Sequence, residues 1–246
     1  MRKGLIASAA AIALIAPGAA SAATVSINPI NATWSNVVGG AAIGITGNGT
    51  SAASVSWGTG GKRSGYDFTA AATPIASVLP PSPSPNFTLG TFRHRNFEID
   101  AGSSITGVRL TITAGISIDG NNQGTKNFAF DFLHNETPNN AHPCANGQPN
   151  KQGVNAKGCA DQVRVNFNNL SESITIGADT YTLNIVGFLI GNTRFTEFWT
   201  RENATSSAKL IANWSLRSAA IPVPMSLALF GMGLAGLGLA MRRRAA

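Results

Sequence analysis

A two-residue hydrophobic period constrains this chain more than any other feature. It recurs through the middle of the sequence and gives way to no long helical pattern. Val108, Leu110 and Ile112 alternate with Arg109, Thr111 and Thr113. Phe128, Phe130 and Phe132 are spaced the same way, as are Val163, Val165 and Phe167, and Tyr181, Leu183 and Ile185 on the way to Phe188. Near the C-terminus Leu210, Ala212, Trp214 and Leu216 are again two apart. Successive side chains of a strand point to opposite faces, so each run reads as a strand with one face in a core. Turn formers separate the runs: Asp119-Gly120 with Asn121-Asn122, and Gly177 with Asp179. Residues 41–45 and 54–57 are shorter strand candidates in a Gly-rich stretch, and Pro80, Pro81, Pro83 and Pro85 predict an extended loop. Composition agrees, with 27 glycines and only 12% charged residues, which leaves few strong helix formers. The expectation is one all-β domain, a β-sandwich or jelly roll, over residues 23–219.

The two ends read differently. Residues 1–22 have the three parts of a secretory leader. Arg2 and Lys3 are followed by an apolar run over 4–16, a Pro17-Gly18 break and the small residues Ala20-Ser21-Ala22, which predicts a signal helix cleaved between Ala22 and Ala23. Residues 220–246 contain Ile221-Pro222-Val223-Pro224, an apolar run over 225–241 and the cluster Arg242, Arg243, Arg244. The run is near the lower length for a transmembrane helix, and the arginines would stay on the cytoplasmic side. These ends also explain the formal charge of +7. Without their five basic residues, thirteen basic residues face eleven acidic ones. A nearly neutral body with no basic stripe argues against a nucleic-acid partner.

The C-terminal order of paired prolines, apolar run and terminal arginines resembles the sorting signal of PEP-CTERM proteins, in the variant named for a Val-Pro-Leu-Pro-Ala stretch. Pro222 and Pro224 match that stretch. The middle of the chain resembles the THxN family of PEP-CTERM proteins, close to the choice-of-anchor K domain. The residues that carry this likeness are 89–97 with His94 and Asn96, then 134–139, Cys144, and Cys159-Ala160-Asp161. Arg93 stands where that family has its threonine. The resemblance implies export by the secretion machinery of a Gram-negative bacterium that makes extracellular polysaccharide. It further implies processing by an exosortase-like enzyme and a place at the cell envelope or surface, anchored by the C-terminus or released after processing.

Chemistry-bearing residues are few. Cys144 and Cys159 are the only cysteines, and in an exported domain an even pair predicts a disulfide. His134, His142, Cys144, Cys159 and Asp161 are all ligand types, yet their spacing matches no zinc pattern. Asp119, Asn121 and Asn122 could offer oxygens to calcium, although Asp-Gly-Asn-Asn is first a turn and the EF-hand pattern is absent. No cofactor is otherwise expected. His94 and Asn96, two apart, share a strand face and serve either a ligand or the backbone. His134 and Glu136 share one too, as an acid–base pair or as part of a strand exit at Thr137-Pro138-Asn139. Trp34, Trp57, Trp199 and Trp214 could form a sugar-stacking platform or belong to the core. Neither a Gly-x-Ser-x-Gly elbow nor a phosphate loop is present. The expected function is a non-enzymatic cell-surface or matrix protein associated with extracellular polysaccharide. A carbohydrate-binding module, with or without calcium, and a carboxylate-dependent hydrolase stand beside it.

Overall fold

The computed structural model describes residues 22–166 and 173–219. The first half of the chain forms strands β1 (Ala23–Gly39), β2 (Gly44–Thr46), β3 (Ala52–Trp57), β4 (Ser64–Ala70), β5 (Ile75–Leu79), β6 (Phe87–Asn96) and β7 (Ile105–Ile118). The second half forms β8 (Asn121–Asn135), β9 (Asp161–Asn166), β10 (Ser173–Ile176), β11 (Asp179–Ile190), β12 (Thr193–Phe195), β13 (Glu197–Thr200) and β14 (Ala204–Ser218). A single turn of 3₁₀ helix, Gly153–Asn155, lies in the long connection from β8 to β9.

The strands make two sheets. One has six strands in the order β13-β9-β8-β7-β1-β5. The other has eight, in the order β10-β11-β14-β6-β4-β3-β2, with β12 added beside β11. The pairings within the six-stranded sheet are antiparallel, as are those of β10 and β12 with β11, of β14 with β6, and along β6-β4-β3-β2. The inner faces meet through aromatic rings. Trp34, Phe132 and Phe198 come from the six-stranded sheet, and Tyr66, Phe92 and Phe188 from the eight-stranded one. Phe92 stacks on Phe132 with ring centres 5.1 Å apart and 12° between planes. Trp34 approaches Tyr66 at 5.9 Å, and Phe188 approaches Phe198 at 5.6 Å. Two sheets around one such core are the arrangement of a β-sandwich. The compact β unit runs from Ala22 to Arg217.

The alternation read from the sequence selects the inward face. Val108, Leu110, Ile112, Phe128, Phe130, Phe132, Val163 and Val165 are all buried. Tyr181, Leu183, Ile185, Leu210, Ala212 and Trp214 are buried as well. Asp119 and Gly120 both take positive φ, 50° and 77°, which suits the two-residue turn that joins β7 to β8. The proline loop separates β5 from β6, as expected, and Ser84 exchanges hydrogen bonds with the backbone of Trp214.

Strands β1, β4, β5, β10, β12 and β13 were not signalled by the alternation. In β1 the inward set is Val25, Ile27, then Ile30, Ala32 and Trp34. The register with β7 shifts between Ile27 and Ile30, at Asn28-Pro29. This bulge changes the phase by one residue and returns the apolar side chains to the core. The strand expected over 41–45 is shorter, Gly44–Thr46. Phe167, the leader over 1–21, Pro222, Pro224, the apolar run and Arg242, Arg243 and Arg244 lie outside the described residues. Among the described residues, no helix is long and apolar enough to cross a membrane.

Candidate functional site

The residues with most chemical potential meet at one end of the core. Strand β6 turns His94 and Asn96 inward, and both are fully buried. Each finds Thr200 at the end of β13. His94 Nδ1 lies 2.7 Å from Thr200 Oγ1, and the Asn96 amide donates to the Thr200 carbonyl at 3.2 Å. The shared face expected for the two residues is therefore real, and it points into the protein.

His134, near the end of β8, faces His94 from the other sheet, with ring centres 5.2 Å apart. Its Nδ1 is 2.6 Å from the Tyr66 hydroxyl, and its Nε2 is 3.3 Å from Glu136 Oε2. Trp57 stacks over His94 at 5.9 Å and meets His134 edge-on at 5.2 Å. Asp161 opens β9, fully buried, and its Oδ1 accepts the Thr137 backbone N–H at 2.8 Å. Glu202, in the turn between β13 and β14, is also fully buried, and its Oε1 accepts the Asn203 N–H at 3.2 Å.

His94, His134 and Asp161 each place a ligand-type atom within 4.8 Å of the others. Glu136, Asp161 and Glu202 do the same, so Asp161 belongs to both sets. Burial governs the electrostatics. It holds the His94 imidazole well below its ordinary pKa, with the nearby His134 and Arg95 adding to the effect. It holds the Asp161 carboxyl well above the carboxylate range, and repulsion from Glu136 and Glu202 raises it further against the Thr137 hydrogen bonds. Burial also raises Glu202 to about 7, with the Asn203 amide partly offsetting it and Glu136 adding to it. The Tyr66 hydroxyl is raised well above its usual value by burial and by the charges of Asp161 and Glu136. His94 is a neutral imidazole here, and the carboxyls crowd one another in a dry space.

The disulfide delivers Asp161 to this place. Cys144 and Cys159 are joined, with Cα atoms 5.3 Å apart and a sequence separation of 15. Ala160 and Asp161 follow the second cysteine directly. Buried Asn150 and Asn155 brace the loop: Asn150 donates to the carbonyls of Asn139 and Ala141, and Asn155 Oδ1 accepts the Ala160 N–H at 2.9 Å. Thr137 Oγ1 donates to the Ala160 carbonyl at 3.0 Å.

The five ligand-type residues weighed together in the sequence divide accordingly. Both cysteines are spent in the bridge, and His142 is exposed. His134 and Asp161 remain and are joined by His94, Glu136 and Glu202. Glu202, Thr200 and Tyr66 carried no sequence signal, because their partners are tens of residues away in the chain. The oxygens of the calcium candidates already accept backbone hydrogen bonds: Asp119 Oδ1 takes the N–H of Thr24 on β1 at 2.7 Å, and Asn122 Oδ1 takes the Gly124 N–H at 2.8 Å. Asn121 donates to the Asp119 carbonyl at 3.4 Å. Trp34, Trp57 and Trp214 are buried core residues, and Trp199 is half-buried with its indole N–H on Glu197. They form no exposed platform.

A groove of about 420 Å³ lies elsewhere, at the β1 bulge. Ser26, Asn28, Pro29, Ser117, Asn122 and Thr125 are among its lining residues, and no ionisable side chain is among them. Compared with models of known families and with curated proteins, the chain matches none.

Proposed function

We propose that this chain is an exported, non-enzymatic protein of the cell surface or extracellular matrix. On this reading a β-sandwich is delivered by the leader over 1–22 and sorted through the PEP-CTERM-like segment over 220–246. The observation that supports it most is the Cys144–Cys159 bridge, because structural disulfides persist in oxidising compartments outside the cytoplasm. The bridge closes a polar, Asn-rich loop that has little apolar surface with which to hold itself. The placement of the titratable cluster supports the non-enzymatic part: His94, Asp161 and Glu202 are fully buried, and none of them lines the groove.

The reading is tested by producing the full-length chain in a Gram-negative host that carries an exosortase-like enzyme. The expected product is oxidised, starts at Ala23 and is found in the envelope or medium. Replacing Pro222 and Pro224 by alanine should change its partition between membrane and medium. A reduced, cytoplasmic chain that keeps Met1 would overturn the proposal.

The neutral groove favours a second reading, a carbohydrate-binding module. Hydroxyl and amide groups without charge suit sugar hydroxyls. Co-sedimentation with native extracellular polysaccharide, with calcium and with chelator, separates the two. Saturable binding that disappears in Asn122→Ala places the sugar in the groove, and its loss with chelator adds calcium. Failure to bind in either condition leaves the structural role.

A further inference from the structure

We propose that His94, His134 and Asp161, with Glu202 completing the set, hold one divalent transition-metal ion of the zinc type between the two sheets. The inference does not depend on the surface role proposed above.

Buried polar atoms without partners carry it. His94 Nδ1 is engaged by the Thr200 hydroxyl at 2.7 Å. Its Nε2 has no hydrogen-bond partner, and neither has Asp161 Oδ2 or Glu202 Oε2. All three residues are fully buried. Three polar atoms are thus left without partners in dry protein, an arrangement that native structures avoid. A cation that takes lone pairs from His94 Nε2 and the carboxylates at once resolves it, with the Thr200 hydroxyl accepting from His94 Nδ1–H.

The surrounding geometry suits a metal. The ligand-type atoms of His94, His134 and Asp161 lie within 4.8 Å of one another. Donors around a tetrahedral ion with bonds of about 2.0–2.1 Å are ~3.3 Å apart, so small side-chain rotations close the site. Each histidine also has its Nδ1 held by a hydroxyl, Thr200 for His94 and Tyr66 for His134. This outer hydrogen bond fixes the ring. It leaves His94 Nε2 free for an ion, whereas His134 Nε2 lies 3.3 Å from Glu136 Oε2 and would exchange that contact for the ion. Imidazole nitrogens with carboxylate oxygens favour zinc and its neighbours over calcium and magnesium, which prefer oxygen alone. Glu136 is one-quarter exposed, at 26%, and gives the cluster a way in from solvent.

The ligands come from β6 in one sheet, from β8 and β9 in the other, and from the turn before β14. One ion would tie together four segments distant in sequence, and its binding would be coupled to folding.

The test uses the full-length chain, stripped with chelator and titrated with Zn²⁺ and Co²⁺. One ion per chain is expected by elemental analysis, with visible absorption from bound Co²⁺ and shifts of the ¹⁵N resonances of the His94 and His134 imidazoles. His94→Gln and Asp161→Asn should each weaken binding by at least about tenfold. Chelator should lower the melting temperature of the wild-type chain. A wild-type chain that retains neither ion and shows no imidazole shift overturns the proposal, and a proton on Asp161 then satisfies His94. Wild-type affinity in His94→Gln overturns it as well, because the ion would sit elsewhere. Preference for Ca²⁺ without an imidazole shift has the same consequence. Should a variant fail to fold, the imidazole shifts of the wild-type chain decide.

Discussion

Tyr66 shows how one side chain serves both packing and polarity. Its ring contacts Trp34, Trp57 and Phe92, and its hydroxyl bonds to buried His134. Tyr66→Phe keeps the ring and removes the hydroxyl. We expect a loss of about 1 kcal/mol, up to ~3 if His134 Nδ1 is left unsatisfied, measured as a lower urea midpoint at an unchanged slope. Phe132 stands at the centre of the aromatic layer, against Trp34, Phe92 and Phe188. Phe132→Ala should cost about 3–5 kcal/mol, because rigid rings on both sheets cannot collapse into the cavity. A smaller loss would mean that the core repacks. Gly187 is constrained in another way. Its φ of 137° is closed to most L-residues, and a Cβ there would meet the Phe195 carbonyl oxygen at 2.5 Å. It also marks where inward positions pass from Ile185 to Phe188, three residues rather than two.

At the scale of elements, the loop from β8 to β9 depends on its bridge. Replacing both Cys144 and Cys159 by serine should cost about 3 kcal/mol in the chain-entropy model for a loop of this length. Guanidinium titrations of the oxidised chain and the variant would show it, and equal midpoints would mean that Asn150 and Asn155 hold the loop unaided. The cross-strand pair of Arg109 on β7 and Asp131 on β8 is a contrasting case. It is bidentate, at 2.7 and 2.9 Å, with its side chains 24% and 31% exposed. Arg109→Ala should cost less than about 1 kcal/mol, since water screens a pair that is this open. The effect should shrink further in high salt.

The whole molecule is knit by pairings between distant parts of the chain. Strand β6 pairs with β14, so that Asn96 lies opposite Ala204, and β1 pairs with β5 and β7. Such loops must close before their contacts stabilise anything. Refolding of the oxidised chain, followed by tryptophan fluorescence, should therefore take milliseconds to seconds or longer, and microsecond folding would contradict this topology. The candidate metal site has the same origin, since its members belong to both sheets and meet only when the sandwich is closed.

The sequence by itself determined the strands whose apolar side chains keep a strict alternation, because the pleat of a strand writes that period directly. It also determined the Asp119-Gly120 turn and the cysteine pair, both of which rest on local chemistry or on a choice of two. It did not reveal β1, because the bulge at Asn28-Pro29 shifts the phase and hides the run. Only the tertiary structure decided which polar residues share a site. His94 and Asn96 were legible as one face of a strand, but whether that face met solvent or core depended on the opposite sheet. Tyr66, His134, Asp161, Thr200 and Glu202 gather around them through antiparallel pairings and sheet stacking. Those relations span more than a hundred residues in places, as between His94 and Thr200, and leave no periodic trace along the chain.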